Sequence, residues 1–87
     1  MTTMSPRFVT LVRAHLQYLP PGDALAPTAS LRDLGLDSLQ SVELLIAVED
    51  LFNFALPDDA LTAQTFATPG NLWNAVCRYA PSAEVSR

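Results

Sequence analysis

Leu34-Gly35-Leu36-Asp37-Ser38-Leu39-Gln40-Ser41-Val42-Glu43-Leu44-Leu45-Ile46-Ala47-Val48-Glu49-Asp50-Leu51-Phe52 carries the chain from a long loop into a strongly apolar helix, expected over residues 38–53. Ser38 stands at the junction. A serine at a helix start has two possible tasks. It can cap the helix, or it can hold a phosphate, because free backbone N–H groups and the positive dipole end make an anion site there. Asp37 beside it offers a carboxylate that can also cap. The choice between capping and carrying bears on the whole protein.

Residues on a helix follow one another by about 100° around the axis, which sorts this segment into faces. Leu44, Leu45, Val48, Leu51 and Phe52 form one broad stripe, expected to face the core. Leu39, Val42 and Ile46 fall nearly opposite, among Glu43 and Asp50. A surface helix ordinarily has one apolar stripe and one polar face. A second stripe rimmed by carboxylates fits a docking surface, on which apolar contact supplies affinity and charge supplies orientation and on-rate. The competing explanation is that the preceding loop folds over these residues, Leu39 above all, and buries them.

Outward from this segment the chain reads as helices and loops. Ser5 and Pro6 suit the cap and first position of a helix over residues 5–19, with Phe8, Leu11, Val12, Leu16 and Leu19 at helical spacing until Pro20-Pro21-Gly22 stops it. Residues 20–37 keep no period, and Leu25, Leu31, Leu34 and Leu36 are the expected anchors of that loop. Gly35 is expected to supply a turn that a side chain would hinder. Asp58-Asp59-Ala60-Leu61 opens a short helix over 58–64, and Phe66 reads as a core plug. Thr68-Pro69 repeats the cap-then-proline signature and begins a last helix over 69–80, with Leu72, Trp73, Val76 and Tyr79 facing inward. Residues 82–87 are expected to form a flexible tail. No segment alternates as a strand. The fold expected is all-α: three main helices and one short one, with a long loop between the first two, in a single domain spanning 1–87.

Composition narrows the function. The 87 residues are 49% hydrophobic, enough for a core without disulfides or a metal. A net charge of −4 and the absence of lysine argue against nucleic acid, whose phosphates require basic partners. Asp37, Glu43, Glu49, Asp50, Asp58 and Asp59 share a stretch free of arginine, which favours a basic protein partner or forms a solvated face that aids solubility. The lone Cys77 suits a reducing compartment, and neither a signal peptide nor a membrane span is expected, so the expectation is a cytoplasmic, monomeric protein. No metal-ligand spacing appears, His15 stands alone, and Ser38 lacks the glycine-flanked elbow of a hydrolase nucleophile. Cys77 and Trp73 are expected to pack rather than bind.

The run Leu34-Gly35-Leu36-Asp37-Ser38-Leu39, continued by Val42-Glu43-Leu44, Glu49-Asp50-Leu51-Phe52 and Leu56-Pro57-Asp58, resembles the acyl carrier protein family. The resemblance covers essentially the whole chain. It implies that Ser38 is the attachment point of 4′-phosphopantetheine, installed from coenzyme A by a phosphopantetheinyl transferase that uses magnesium, and that Asp37 helps the transferase recognise the site. It further implies that Leu39, Val42, Glu43, Ile46 and Asp50 face partner enzymes that load and process acyl groups and carry basic docking patches. The protein is then a carrier and not an enzyme, with no nucleic-acid or membrane partner. Phe52, Phe54, Leu61 and Phe66 are candidates to line a space that shelters the cargo.

Departures from the family pattern refine this expectation. Gln40 stands where many fatty-acid carriers have an acid. The serine follows Leu36-Asp37 and lacks the Gly-Gly-x-Ser pattern common in peptidyl carriers, which favours acyl over aminoacyl cargo. The absence of lysine and the segment Thr65-Phe66-Ala67-Thr68-Pro69-Gly70-Asn71-Leu72-Trp73 point to a specialised polyketide or lipopeptide pathway more than to housekeeping fatty-acid synthesis. Two alternatives stand beside the acyl reading: an aminoacyl, peptidyl or D-alanyl carrier, and a helical protein-interaction module in which Ser38 only caps.

Overall fold

A computed structural model describes residues 4–20 and 22–80. Three α-helices run in the order α1 (Pro6–Arg13), α2 (Ser38–Phe52) and α3 (Pro69–Tyr79), with a 3₁₀ turn at Asp58–Ala60 between the last two. Among the described residues there is no strand. The expected flexible tail lies outside the described residues.

Each helix begins with a side-chain cap. Ser5 Oγ accepts from the Phe8 amide at 3.2 Å and Thr68 Oγ1 from the Asn71 amide at 3.1 Å, and proline follows each cap. Asp37 caps α2. Each cap satisfies one of the amides that a helix start leaves without an intrahelical acceptor. Asn53 closes α2 in the left-handed region at φ 55°, a conformation asparagine tolerates better than most residues.

The helices meet at an aromatic junction with one ring from each. Trp73 of α3 lies 4.9 Å from Phe8 of α1 and 5.8 Å from Phe52 of α2, centroid to centroid, in tilted and edge-on arrangements that the ring quadrupoles favour. Val12, Leu44, Val48, Leu72 and Val76 are buried around it. The long loop adds Leu25, Leu31 and Leu36 to this core, with Leu34 partly buried against it, as the anchoring leucines require.

Two helices are shorter than their sequence patterns. The helix expected over 5–19 ends at Arg13. Beyond it His15 and Leu16 donate to the carbonyls of Val12 and Arg13, three residues back, so the chain tightens and turns. The Arg13 guanidinium then bonds the carbonyls of Pro20 and Asp23 and holds the turned segment in place. Leu16 remains buried, which is why the hydrophobic spacing outlasts the helix. The helix expected over 58–64 is only the Asp58–Ala60 turn. Thr62 Oγ1 accepts from the Thr65 amide at 3.2 Å, and this local bond diverts the backbone from helix. Leu61 is consequently exposed.

The core stripe of α2 is also narrower than expected. Leu44, Val48 and Phe52 are buried, Leu45 is intermediate, and Leu51 is 36% exposed at the edge of a shallow recess with Pro6, Arg7, Thr10 and Leu11.

Two connections tie the long loop to the segment before α3. The Leu31 amide donates to the Ala67 carbonyl at 3.0 Å, and the Gly70 amide to the Pro27 carbonyl at 2.8 Å. Tyr18 donates to the Leu34 carbonyl at 3.0 Å, drawing the end of the α1 turn toward the start of α2. Gly35 has φ 102°, and a Cβ there would lie 3.0 Å from Gln17 backbone and side-chain atoms, so the turn requires glycine on both counts.

Candidate functional site

The start of α2 divides two tasks between two adjacent residues. Asp37 has extended backbone, and its Oδ1 accepts from the Gln40 amide at 2.8 Å. Its carbonyl accepts from both the amide and the hydroxyl of Ser41, each at 2.8 Å. Ser38 is the first helical residue, is exposed, and bonds its hydroxyl to no described residue. Asp37 is therefore the cap, and Ser38 Oγ is available for chemistry.

The surroundings fit a phosphate ester on that oxygen. The first N–H groups of a helix have no intrahelical acceptor and lie at its positive dipole end. Ser38 also lines an open cleft of about 760 Å³ whose other lining residues include Arg32, Tyr18 and Phe66. Arg32 supplies a cation at that cleft.

The second apolar stripe of α2 is uncovered. Leu39, Val42 and Ile46 are 66%, 54% and 60% exposed, so the long loop does not fold over them. Glu43 and Asp50 are exposed beside them. The stripe runs from Ser38 to a recess lined by Ile46, Glu49, Asp50, Asn53 and Phe54. The uncovered surface thus combines three apolar side chains with carboxylates on the helix that begins at Ser38.

Glu49 differs from its acidic neighbours. Its Oε2 accepts from the Leu56 amide at 2.8 Å, and it is only partly exposed. This bond pins the segment after α2 and keeps Leu56 buried. Glu49→Ala is expected to cost about 1–3 kcal/mol by leaving that amide unpaired. Denaturant unfolding, with hydrogen exchange at Leu56 as the local readout, measures it. A Glu49→Ala midpoint equal to wild type would show that the bond contributes nothing.

The residues expected to line a sheltered space separate. Phe66 lines the cleft beside Ser38, whereas Phe52, Phe54 and Leu61 do not. Conversely Gln17, Tyr18 and Arg32 stand at the cleft without having been singled out by pattern. Arg32 had one detectable signal: it is the only arginine or lysine between Arg13 and Arg78. His15 Nδ1 donates to the Leu11 carbonyl at 3.0 Å within its own turn, and Trp73 packs in the core.

An exposed serine at the start of a capped helix, behind a long loop in a three-helix fold, is the arrangement expected of a carrier-type domain. A family model described as the phosphopantetheine attachment site matches residues 7–76. The acyl carrier protein of Afipia carboxidovorans is 40% identical over 72 residues, covering 82% of this chain and 86% of that protein. The mitochondrial acyl carrier protein of Dictyostelium discoideum is 45% identical over 38 residues, 44% of this chain, and the match spans only 32% of that longer protein.

Solved structures agree on the fold. A chain in the crystal structure of engineered Bradyrhizobium japonicum glycine:[carrier protein] ligase, complexed with carrier protein from Agrobacterium tumefaciens and AMP, matches with a TM-score of 0.71. It is 28% identical, over 80% of this chain and 93% of that one. A chain in the complex of the Bradyrhizobium japonicum ligase with glycylated carrier protein matches with a TM-score of 0.66 and 31% identity, over 80% and 95% of the two chains.

The chain belongs to the acyl carrier protein family. It is a carrier protein with a phosphopantetheine attachment domain, and proteins of this family carry substrates without catalysing their conversion. Its cofactor is covalently attached 4′-phosphopantetheine. No described helix is long and apolar enough to cross a membrane.

Proposed function

We propose that Ser38 carries the phosphopantetheine arm and that the protein presents acyl intermediates on it to a series of enzymes in the cytoplasm. The observation that supports this most is the division of labour at the start of α2: Asp37 caps, and the exposed Ser38 hydroxyl bonds no described group. In the attachment reaction Ser38 Oγ attacks the pyrophosphate of coenzyme A on a phosphopantetheinyl transferase. The oxygen loses its proton, a phosphodiester forms, and adenosine 3′,5′-bisphosphate leaves. The arm's thiol then holds an acyl group as a thioester. The chain itself contributes an accessible hydroxyl, a helix start that tolerates the new negative charge, and a face for partners to grip.

That face is the stripe of Leu39, Val42 and Ile46 with Glu43 and Asp50. Its exposure supports docking by enzymes with basic patches, the transferase among them. Glu43→Arg is expected to lower kcat/KM for modification by a transferase on the order of tenfold at low ionic strength, mainly through KM, because rim charges act on encounter. The deficit is expected to shrink in high salt. Unchanged kinetics at low salt with an intact fold would remove Glu43 from the docking face.

A specialised polyketide or lipopeptide pathway is the first reading for the cargo, and fatty-acid synthesis lies close to it. An aminoacyl cargo is the second, favoured by the likeness to chains solved in complexes of a glycine:[carrier protein] ligase. Intact-mass analysis of the protein purified from its native producer distinguishes them. An acyl increment beyond the arm supports the first reading, a glycyl or other aminoacyl increment supports the second, and a wholly unmodified chain from active cells contradicts both.

A further inference from the structure

We propose that the cleft beside Ser38 is the resting place of the protein's own phosphopantetheine arm, with Arg32 as the anchor for its phosphodiester. The inference rests on attachment at Ser38 and specifies where the attached group lies.

The cleft is formed by three parts of the chain that are distant in sequence: the turn after α1, the long loop with the start of α2, and the segment before α3. Its walls are tied together. Tyr18 is bonded to Leu34, Leu31 to Ala67, and Gly70 to Pro27, all through backbone groups at 2.8–3.0 Å. Gly35, in its left-handed turn, sets the close approach of the long loop to Gln17. At about 760 Å³ the open space falls within the range of roughly 300–1,000 Å³ that small-molecule sites occupy.

The lining suits one occupant. Ser38 is part of it, so a group esterified there is tethered at the cleft. Arg32 is its only lysine or arginine, and no described carboxylate pairs with it. The one acid in the lining, Asp37, has its carboxylate on the Gln40 amide. A guanidinium matches a phosphodiester in charge and in its paired donors. Gln17, Tyr18 and Ser30 offer hydrogen bonds to the two amides of a pantetheine chain, and Leu36 and Phe66 offer apolar surface to its geminal methyl groups. The lining mixes polar side chains with apolar ones, which suits a chain that carries both amides and methyl groups. It lies apart from the Leu39, Val42 and Ile46 stripe, none of whose residues lines it. Docking enzymes can therefore engage α2 before the arm leaves its rest.

Amide NMR spectra of the unmodified and modified protein test this, for wild type and for Arg32→Glu. Arg32 is exposed, so the substitution leaves the core intact; thermal unfolding and loading of Ser38, read by mass, are recorded first. In the wild type, attachment is expected to shift the amides of Gln17, Tyr18, Arg32 and Ala67, and the arm's methyl groups are expected to show contacts to the Phe66 ring. In Arg32→Glu those shifts and contacts are expected to be lost although loading is complete. Shifts confined to the immediate neighbours of Ser38 would overturn the proposal, as would contacts from the arm to Leu39, Val42 and Ile46 instead. Equal shifts in both proteins would remove Arg32 as the anchor. Failure of Ser38 to load at all would overturn the attachment reading itself and the inference with it.

Discussion

Trp73→Ala is expected to remove most of the stability of this domain. Trp73 is 3% exposed and sits where α1, α2 and α3 meet, against Phe8 and Phe52. Truncating a buried aromatic costs about 3–5 kcal/mol, from lost transfer free energy and the cavity left behind. A domain has only about 5–15 kcal/mol in total, and a small one lies toward the lower end. At about 4–8 °C per kcal/mol for this size, the melting temperature should fall by at least about 12 °C. Trp73→Phe is the informative companion. Trp73 Nε1 is buried without a hydrogen-bond partner among the described residues, and an unpaired buried donor itself costs about 1–3 kcal/mol. Phenylalanine removes that orphan while keeping much of the ring volume, so its cost should be a small fraction of alanine's. Circular dichroism measures both, since the only tryptophan is the residue replaced. Equal losses for the two variants would mean that ring packing is not what Trp73 contributes.

The second large effect separates two neighbouring residues. Ser38→Ala is expected to abolish modification completely and to leave stability within about 0.5 kcal/mol of wild type, because the residue is exposed and caps nothing. Asp37→Ala is expected to show the reverse on stability, a loss of about 0.5–2 kcal/mol from the missing cap, while leaving a hydroxyl that can still be modified. Its modification should be slowed in proportion to Asp37's share in transferase recognition. Thermal melts and intact masses on the same samples give both readouts. A Ser38→Ala protein as destabilised as Asp37→Ala would return the serine to a capping role.

The arrangement of the candidate site was legible in sequence because it is local. Asp37 and Ser38 are adjacent, and the spacing of Leu39, Val42 and Ile46 along one helix settles that they share a face. What the spacing leaves open is whether another segment covers them, and their exposure answers that. The length of α1 was not legible, because Leu16 and Leu19 keep helical spacing through a turn that Arg13 holds by backbone carbonyls. The short helix failed for the opposite reason: Thr62 and Thr65 satisfy the backbone locally and end the helix early. The cleft was invisible from sequence. Gln17, Arg32 and Phe66 share no period or motif, and the bonds from Tyr18 to Leu34, Leu31 to Ala67 and Gly70 to Pro27 tie their segments together.

The account stands most directly on the oxygen of Ser38. Peptide mapping by mass spectrometry, after incubation of the full chain with coenzyme A, magnesium and a promiscuous phosphopantetheinyl transferase, reads that oxygen. One phosphopantetheinyl group on the peptide that contains Ser38, localised to that residue by fragmentation, is the result predicted. An unmodified chain across several active transferases, or a group localised to Ser30 or Ser41 instead, would contradict it.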